Sequence, residues 1–228
     1  IFGGKARMPV VFTANIALGM GNAAQHCECW PETLFSHVPG LLVAVPSTPY
    51  DAKGLMKAAI REDNPVIFFE RKRLYNLKGA VPEGEYLIPF GKARLWRQGE
   101  DVTLVTFGST LYEALKAADQ LAEKGLSVEV LDLRTLVPWD KEAVLSSVAK
   151  TGRVIIAHEA VLRGGFGAEV AAVIAEEVSD ALKAPVSRLG GKEAPIPYSQ
   201  PLEAACVPQA DDLIALALRL MERKMAVH

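Results

Sequence analysis

The chain has 228 residues, of which 50% are hydrophobic and 23% charged, and its formal net charge is −2. This composition supports a packed core, and the small net charge gives no reason to expect a nucleic-acid partner. Three cysteines, an odd number, are unlike a disulfide scaffold and suit a reducing cytoplasm. No apolar run approaches the roughly 20 residues that a membrane-spanning helix needs. We therefore expect a cytoplasmic protein with no membrane partner.

Apolar runs and segments of helical period alternate from the start of the chain. The spacing predicts strands over 9–13, 41–45 and 65–69, and a helix over 49–62. The third run, Pro65-Val-Ile-Phe-Phe69, is apolar on both faces, as a strand of a covered parallel sheet is. We interpret residues 1–78 as one α/β domain. Because about 80 residues are few for such a domain, we expect part of it to precede Ile1.

The composition then changes, and a second series of elements follows. Residues 79–91 contain three glycines and two prolines, so we interpret 79–99 as a linker. Strands are predicted over 101–107, 127–132, 154–158 and 185–189, and helices over 111–124, 141–150, 168–182 and 213–221, with Ser109 as an N-cap. The last helix is apolar almost all round, which indicates burial in the fold or in an interface. This alternation predicts a doubly wound α/β domain over 100–228.

The stretch GMGNAAQHCECW, residues 19–30, allows three interpretations. Its Gly-x-Gly-x-x-Ala pattern imitates a dinucleotide-binding loop, but Pro31 would break the helix early and the next strand ends without an acidic residue. A zinc cluster is the second interpretation, although the Cys-x-Cys spacing is tight and the histidines are eleven residues apart. Its four candidates are His26, Cys27, Cys29 and His37. In the third, Gln25-His26 borders an active site that binds neither nucleotide nor metal.

Six longer stretches resemble the beta subunit of thiamine-diphosphate-dependent 2-oxo acid dehydrogenases, the decarboxylating components of the pyruvate and branched-chain complexes. In the first domain and the linker after it they are Pro46-Ser-Thr-Pro-Tyr-Asp-Ala-Lys-Gly54, Ala58-Ala-Ile-Arg-Glu-Asp-Asn-Pro-Val-Ile-Phe-Phe-Glu70 and Val81-Pro-Glu-Gly-Glu-Tyr86. In the second they are Leu131-Asp-Leu-Arg-Thr-Leu-Val-Pro-Trp-Asp140, Lys150-Thr-Gly-Arg153, and His158-Glu-Ala with Gly164-Gly-Phe-Gly-Ala-Glu169. The resemblance implies part of a pyrimidine-binding domain followed by a transketolase C-terminal-like domain.

The resemblance also implies a reaction and partners. The family decarboxylates pyruvate or a branched-chain 2-oxo acid oxidatively and transfers the acyl group to lipoyl groups. Two alpha and two beta subunits share the cofactor, the alpha subunit holding its diphosphate and Mg²⁺, and the tetramer docks on a dihydrolipoyl acyltransferase core. The beta-subunit glutamate that activates the aminopyrimidine would lie before Ile1, so we expect this chain to be inactive alone. A transketolase-like carboligase and a non-catalytic assembly or docking fragment are the alternatives.

Two sites are carried over from the family by residue. His26 matches its active-site histidine, and an imidazole of near-neutral pKa can orient a substrate carboxylate and supply a proton during acyl transfer. Around it the sequence departs from the family, with Thr13-Ala-Asn-Ile-Ala-Leu18 in place of an arginine and a glycine-rich loop, and Cys27-Glu28 in place of Ser-Gln. The second site is a structural K⁺ bound by main-chain carbonyls, for which an ordinary turn is the alternative. Its ligands would be Val10, Ala59, Ile60, Glu62 and Asn64.

Three features of the chain remain outside these two sites. The turn Gly164-Gly-Phe-Gly167 could hold a phosphate at a helix N-terminus or could be a tight turn packed against a neighbour. The basic run Arg71-Lys72-Arg73 is interpreted as a solvated loop, with docking as an alternative use. His158-Glu159 suggests an interface pair more than an acid–base couple.

Overall fold

Two α/β units, each built on its own sheet, form the structure, a computed structural model that describes residues 5–16 and 30–222. The strands are β1 (Val11–Ile16), β2 (Leu42–Ala44), β3 (Val66–Arg71), β4 (Arg94–Arg97), β5 (Val102–Thr106), β6 (Val128–Asp132), β7 (Thr135–Val137), β8 (Val154–Val161) and β9 (Ser187–Gly191). The α-helices are α1 (Glu32–Ser36), α2 (Pro49–Ile60), α3 (Thr110–Glu123), α4 (Lys141–Thr151), α5 (Phe166–Glu177), α6 (Gln200–Ala204) and α7 (Ala210–Glu222). Within these described ranges, no helix has the length and apolar character to cross a membrane.

The first sheet has the strand order β1-β3-β2-β7. Its central strand β3 runs parallel to both neighbours, whereas β7 is antiparallel to β2. Helix α2 begins where the sequence predicts, because Pro49 occupies its first turn and the Thr48 side chain accepts a hydrogen bond from the Asp51 amide. Leu55, on the buried face of the helix, packs against Phe68 on one side of the sheet.

The second sheet has the order β4-β6-β5-β8-β9 and is parallel except for β4 at its edge. Helices α3 and α7 pack on one face, where Leu104 and Ile155 are buried. Helices α4 and α5 pack on the other face, over Val105 and Ile156. The sheet is therefore doubly wound, and the predicted α/β class is confirmed.

A single hydrophobic cluster joins the two units. Ile67 and Phe69 of the first sheet belong to the same cluster as Val105 and Leu133 of the second unit. Strand β7, which follows the second unit's β6, extends the first sheet by pairing Val137 with Val43. The two units consequently share a core.

Several elements differ from their predicted form. Strand β4 lies inside the interval 79–99 that we interpreted as a linker, and β7, α1 and α6 have no counterpart in the prediction. Helix α5 begins at Phe166 and ends at Glu177, and a 3₁₀ turn over Ser179–Ala181 replaces its predicted last residues. Helix α7 begins at Ala210, earlier than predicted; its predicted burial in the fold is confirmed on the face that packs against α3, while Arg219 lies on an exposed face.

Candidate functional site

The carboxyl end of β3 carries a buried arginine that joins three elements. The Arg71 side chain is 1% exposed, and its Nη2 donates to Glu32 Oε1 of α1 at 2.9 Å. Its Nε lies 2.9 Å from Glu159 Oε2 of β8 in the second unit, as an ion pair outside hydrogen-bonding geometry. Arg71 is paired in register with Ile16, the last residue of β1, from which the segment containing His26 departs. The ion pairs therefore lie beside the origin of that segment.

Two interpretations made from sequence are wrong at this place. Arg71 is buried and does not belong to a solvated loop, whereas Lys72 is half-buried and Arg73 is exposed and pairs with Glu113 at 3.1 Å. Ser109 does not cap helix α3, because its own backbone is helical and its hydroxyl donates to Glu159 Oε1 instead. The burial of Arg71 could have been predicted from the alternation of side chains along a strand. Arg71 lies on the same face as Ile67 and Phe69, and that face packs against the second unit.

The three charged groups form an acidic buried cluster. Glu32, Arg71 and Glu159 are all almost inaccessible to solvent, and two carboxylates share one guanidinium. Burying a charge costs free energy unless the charge is paired and hydrogen-bonded. Arg71 is the single cation for two carboxylates, and the Ser109 hydroxyl further stabilises Glu159 by donating a hydrogen bond to it. Within the described part of the chain, Glu32 Oε2 and Arg71 Nη1 have no hydrogen-bond partner. The cluster holds α1, β3 and β8 together.

His158 lies in the core of the second unit. Its Nδ1 lies 3.0 Å from the Ala160 carbonyl oxygen, and its ring stacks on Phe107 with centroids 5.9 Å apart. Burial lowers its pKa from 6.5 to about 4, so the ring is neutral at physiological pH. A Cβ at Gly167 would lie only 2.7 Å from His158 Nε2. Of the two interpretations of the turn before α5, this close packing supports the tight turn. His158 and Glu159 contact different groups inside the chain.

A second arginine links the two units. Arg134 has a left-handed backbone with φ of 58°, and its Nη1 donates to Asp51 Oδ1 of α2 at 3.2 Å. The same guanidinium donates to the carbonyl oxygen of Lys92. Nearby Asp132 is fully buried; desolvation, reinforced by the negative charge of Asp51, raises its pKa from 3.8 to about 7. Arg134 therefore ties α2, the connecting segment and the end of β6 at one point.

The five residues predicted to bind K⁺ lie at the end of α2 and on the strand beside it. The Ala59 carbonyl accepts a hydrogen bond from the Glu62 amide at 3.2 Å, and the Val10 carbonyl accepts from the Val66 amide at 2.9 Å. Asn64 Nδ2 donates to Glu62 Oε1 at 3.1 Å, while Ile60 is the last residue of the helix. A carbonyl oxygen has two lone pairs, so these hydrogen bonds leave each oxygen able to accept once more.

The glycine pattern and three of the four zinc candidates lie outside the described residues. This applies to His26, Cys27 and Cys29, and the fourth candidate, His37, is the residue after α1. Among the residues that the structure describes, no three His, Cys, Asp or Glu side chains are grouped to hold a metal ion.

Comparison with known proteins assigns both units to one family. The profile of the transketolase pyrimidine-binding domain matches residues 1–78, and that of the transketolase C-terminal domain matches residues 91–213. A solved structure described as "Split gene transketolase, inactive beta4 tetramer" superimposes with a TM-score of 0.80 and 25% identity, over 99% of this chain and 71% of that one. The chain belongs to the family defined by these two transketolase domains.

Curated relatives narrow the comparison to beta subunits. The beta subunit of acetoin:2,6-dichlorophenolindophenol oxidoreductase from Cupriavidus necator is 46% identical over 222 residues, 97% of this chain and 65% of the relative. The beta subunit of 2-oxoisovalerate dehydrogenase from Bacillus subtilis is 43% identical over 216 residues, 94% of this chain and 66% of the relative. The chain spans just under two thirds of the length of these relatives.

Proposed function

We propose that the chain is a beta-subunit part of a thiamine-diphosphate-dependent 2-oxo acid dehydrogenase, acting on pyruvate or a branched-chain 2-oxo acid and passing the acyl group to lipoyl groups. The observation that carries this proposal is the 43% identity to a 2-oxoisovalerate dehydrogenase beta subunit over 94% of the chain. An alpha subunit and an acyltransferase core are the proposed partners, since the relatives are named as subunits.

The described residues do not by themselves fit the cofactor. The resemblance calls for a glutamate carboxylate that activates the aminopyrimidine. Glu32 and Glu159 are engaged with Arg71, and Glu70 accepts a hydrogen bond from the Tyr75 hydroxyl at 2.5 Å. The described residues alone therefore support no chemical step. We propose that the chain alone is inactive.

The test is reconstitution with a matching alpha subunit and the complete beta subunit. The tetramer should reduce 2,6-dichlorophenolindophenol with 2-oxo acid and thiamine diphosphate. His26→Ala should lower turnover on the order of 100-fold, the lower range for losing an acid–base group. His37→Ala is the matched control, a histidine eleven residues later to which the family resemblance gives no role. Unchanged acyl transfer to lipoyl groups in His26→Ala would remove the catalytic role of His26.

Acetoin is a second candidate substrate. The observation that favours it is the 46% identity to an acetoin-oxidising beta subunit, which exceeds the 43% for the branched-chain relative. The reconstituted enzyme should be offered pyruvate, 3-methyl-2-oxobutanoate and acetoin in parallel. The substrate with the highest kcat/KM decides between the two classes. No turnover of any, with stable subunit association, would favour the assembly fragment.

We also propose a structural K⁺ at the carbonyls of Val10, Ala59, Ile60, Glu62 and Asn64. Support comes from the position of Ala59 and Ile60 in the last turn of α2, where carbonyl oxygens carry partial negative charge. The melting temperature should rise with K⁺ and less with Na⁺ at equal ionic strength, as expected for an ion that binds only the folded state. Glu62→Ala should keep this response because the proposed ligand is its carbonyl. Equal melting curves in the two salts would refute the site.

A further inference from the structure

A cleft of about 600 Å³ lies between the two units. Its lining includes Thr48 and Pro49 at the start of α2 and Arg134, which precedes β7. Its lining also includes Lys78 of the connecting segment, Arg94 and Trp96 of β4, and the aromatic residues Tyr50 and Tyr112.

Arg94 is held in place by aromatic rings. Its guanidinium carbon lies 3.9 Å from the centroid of the Trp96 ring and 5.9 Å from that of Tyr50. Tyr50 is itself stacked on Tyr86, with centroids 4.5 Å apart. Stacking fixes the plane of a guanidinium and leaves its N–H edge free, and in the described part of the chain no carboxylate occupies that edge. A fixed, uncompensated guanidinium matches the geometry of an oxyanion.

Two more donors of the cleft lack acceptors. Lys78 forms no ion pair with any described residue, and Trp96 Nε1 is buried without a hydrogen-bond partner among them. A buried donor without an acceptor costs free energy that a bound acceptor would recover. Lys78 and Arg94 are therefore two positive charges of the cleft without a carboxylate partner among the described residues.

The surroundings do not cancel this positive charge. Among the described residues that line the cleft, none carries a carboxylate. Beneath it, Asp51 is neutralised by Arg134, and Asp132 has a pKa of about 7 because it is buried next to Asp51. Tyr112 donates to the carbonyl oxygen of Ser47, and burial raises its pKa to about 12, so its hydroxyl carries no charge.

We propose that this cleft binds the carboxylate or phosphate group of a small anionic ligand, with the stacked Arg94 and Lys78 as its charge partners. The ligand contacts both units at once, because Lys78 follows the first sheet and Arg94 belongs to the second. Binding therefore stabilises their mutual arrangement, independently of the cofactor and of turnover.

The proposal is tested on the complete beta subunit by calorimetry, with inorganic phosphate and succinate as probes at constant ionic strength. Saturable binding of phosphate alone or succinate alone identifies the source of the anion, and either result supports the site. Arg94→Gln should weaken binding about tenfold or more, as loss of a charged hydrogen bond does. Arg97→Gln is the control on the same strand, because Arg97 pairs with Asp119 and does not line the cleft.

Lys78→Gln provides a second variant at an exposed position, where folding is not at risk. It should weaken binding of the same probe while leaving the melting temperature of the free protein unchanged. Equal affinity in wild type, Arg94→Gln and Lys78→Gln would overturn the proposal. So would the absence of saturable binding of either probe to the wild-type chain.

Discussion

Asp132 and His158 are buried titratable residues whose contributions to stability change in opposite directions as pH rises. The pKa of Asp132 is raised to about 7, so its contribution is complete below pH 3.8 and is lost as pH rises through 7. The pKa of His158 is lowered to about 4, so the unfolded chain binds its proton more readily below pH 6.5. Its contribution is present above 6.5 and is lost as pH falls through 4. The two effects partly cancel in the wild-type protein.

When either residue is substituted, the pH dependence of the free energy of unfolding should follow the contribution of the other residue. Asp132→Asn removes the loss on raising pH, so the free energy of unfolding should increase more steeply between pH 4 and 7 than in wild type. One pKa unit corresponds to about 1.4 kcal/mol, so the difference in rise is roughly 3 kcal/mol. Urea unfolding across this range measures it. His158→Gln should change the slope in the opposite direction, and parallel curves for all three proteins would contradict the assignment.

At the scale of elements, the packing of α2 depends on a residue without a side chain. A Cβ added at Gly54 would lie 2.6 Å from Ile88 Cγ1 and 2.8 Å from Tyr86 Cε2, both in the segment that connects the units. The Ile88 amide also donates to the Gly54 carbonyl at 3.2 Å. The segment therefore lies directly on the helix.

Gly54→Ala should destabilise the protein although alanine is the better helix former. The gain in helix propensity is about 1 kcal/mol, whereas overpacking costs about 1–3 kcal/mol, so a net loss of roughly 1 kcal/mol is expected. A lowered melting temperature would record it. Gly84→Ala is the control in the same segment, because no atom lies within 4 Å of its added Cβ. An equal or higher melting temperature for Gly54→Ala would contradict this packing.

The elements that sequence predicted well are those whose own residues determine them. Residues 65–69 are apolar on both faces and form the central strand of the first sheet, and Thr48-Pro49 marks the start of α2. Strands β4 and β7 were missed because they are short and are defined by pairing with distant strands, as Val137 pairs with Val43. The buried charges were missed for a related reason: no residue near Arg71 in the sequence predicts its ion pair with Glu159, which is 88 residues later. Both carried-over sites stay predictions: the turn that contains Ala59 and Glu62 is among the described residues, and His26 lies outside them.

At the scale of the whole molecule, Arg71 and Glu159 couple the two units. Arg71→Met would leave Glu32 and Glu159 buried without a cation, a change expected to cost about 3–5 kcal/mol of unfolding free energy. Combining it with Glu159→Gln should restore part of this loss, so the two changes should be non-additive in denaturant unfolding. Arg73→Met is the control: its partly exposed pair with Glu113 should contribute about 1 kcal/mol or less. Similar losses for Arg71→Met and Arg73→Met would argue against the coupling.

Strand β7 has a consequence for how the chain can be divided. A protease that cuts the exposed stretch around Gly84 would break the backbone between the units, yet Thr135–Val137 would still be hydrogen-bonded to β2. The cut would yield a nicked protein whose halves co-migrate under native conditions and separate only in denaturant. For the same reason, a piece ending near residue 78 would present an open strand edge at β2 and be prone to self-association.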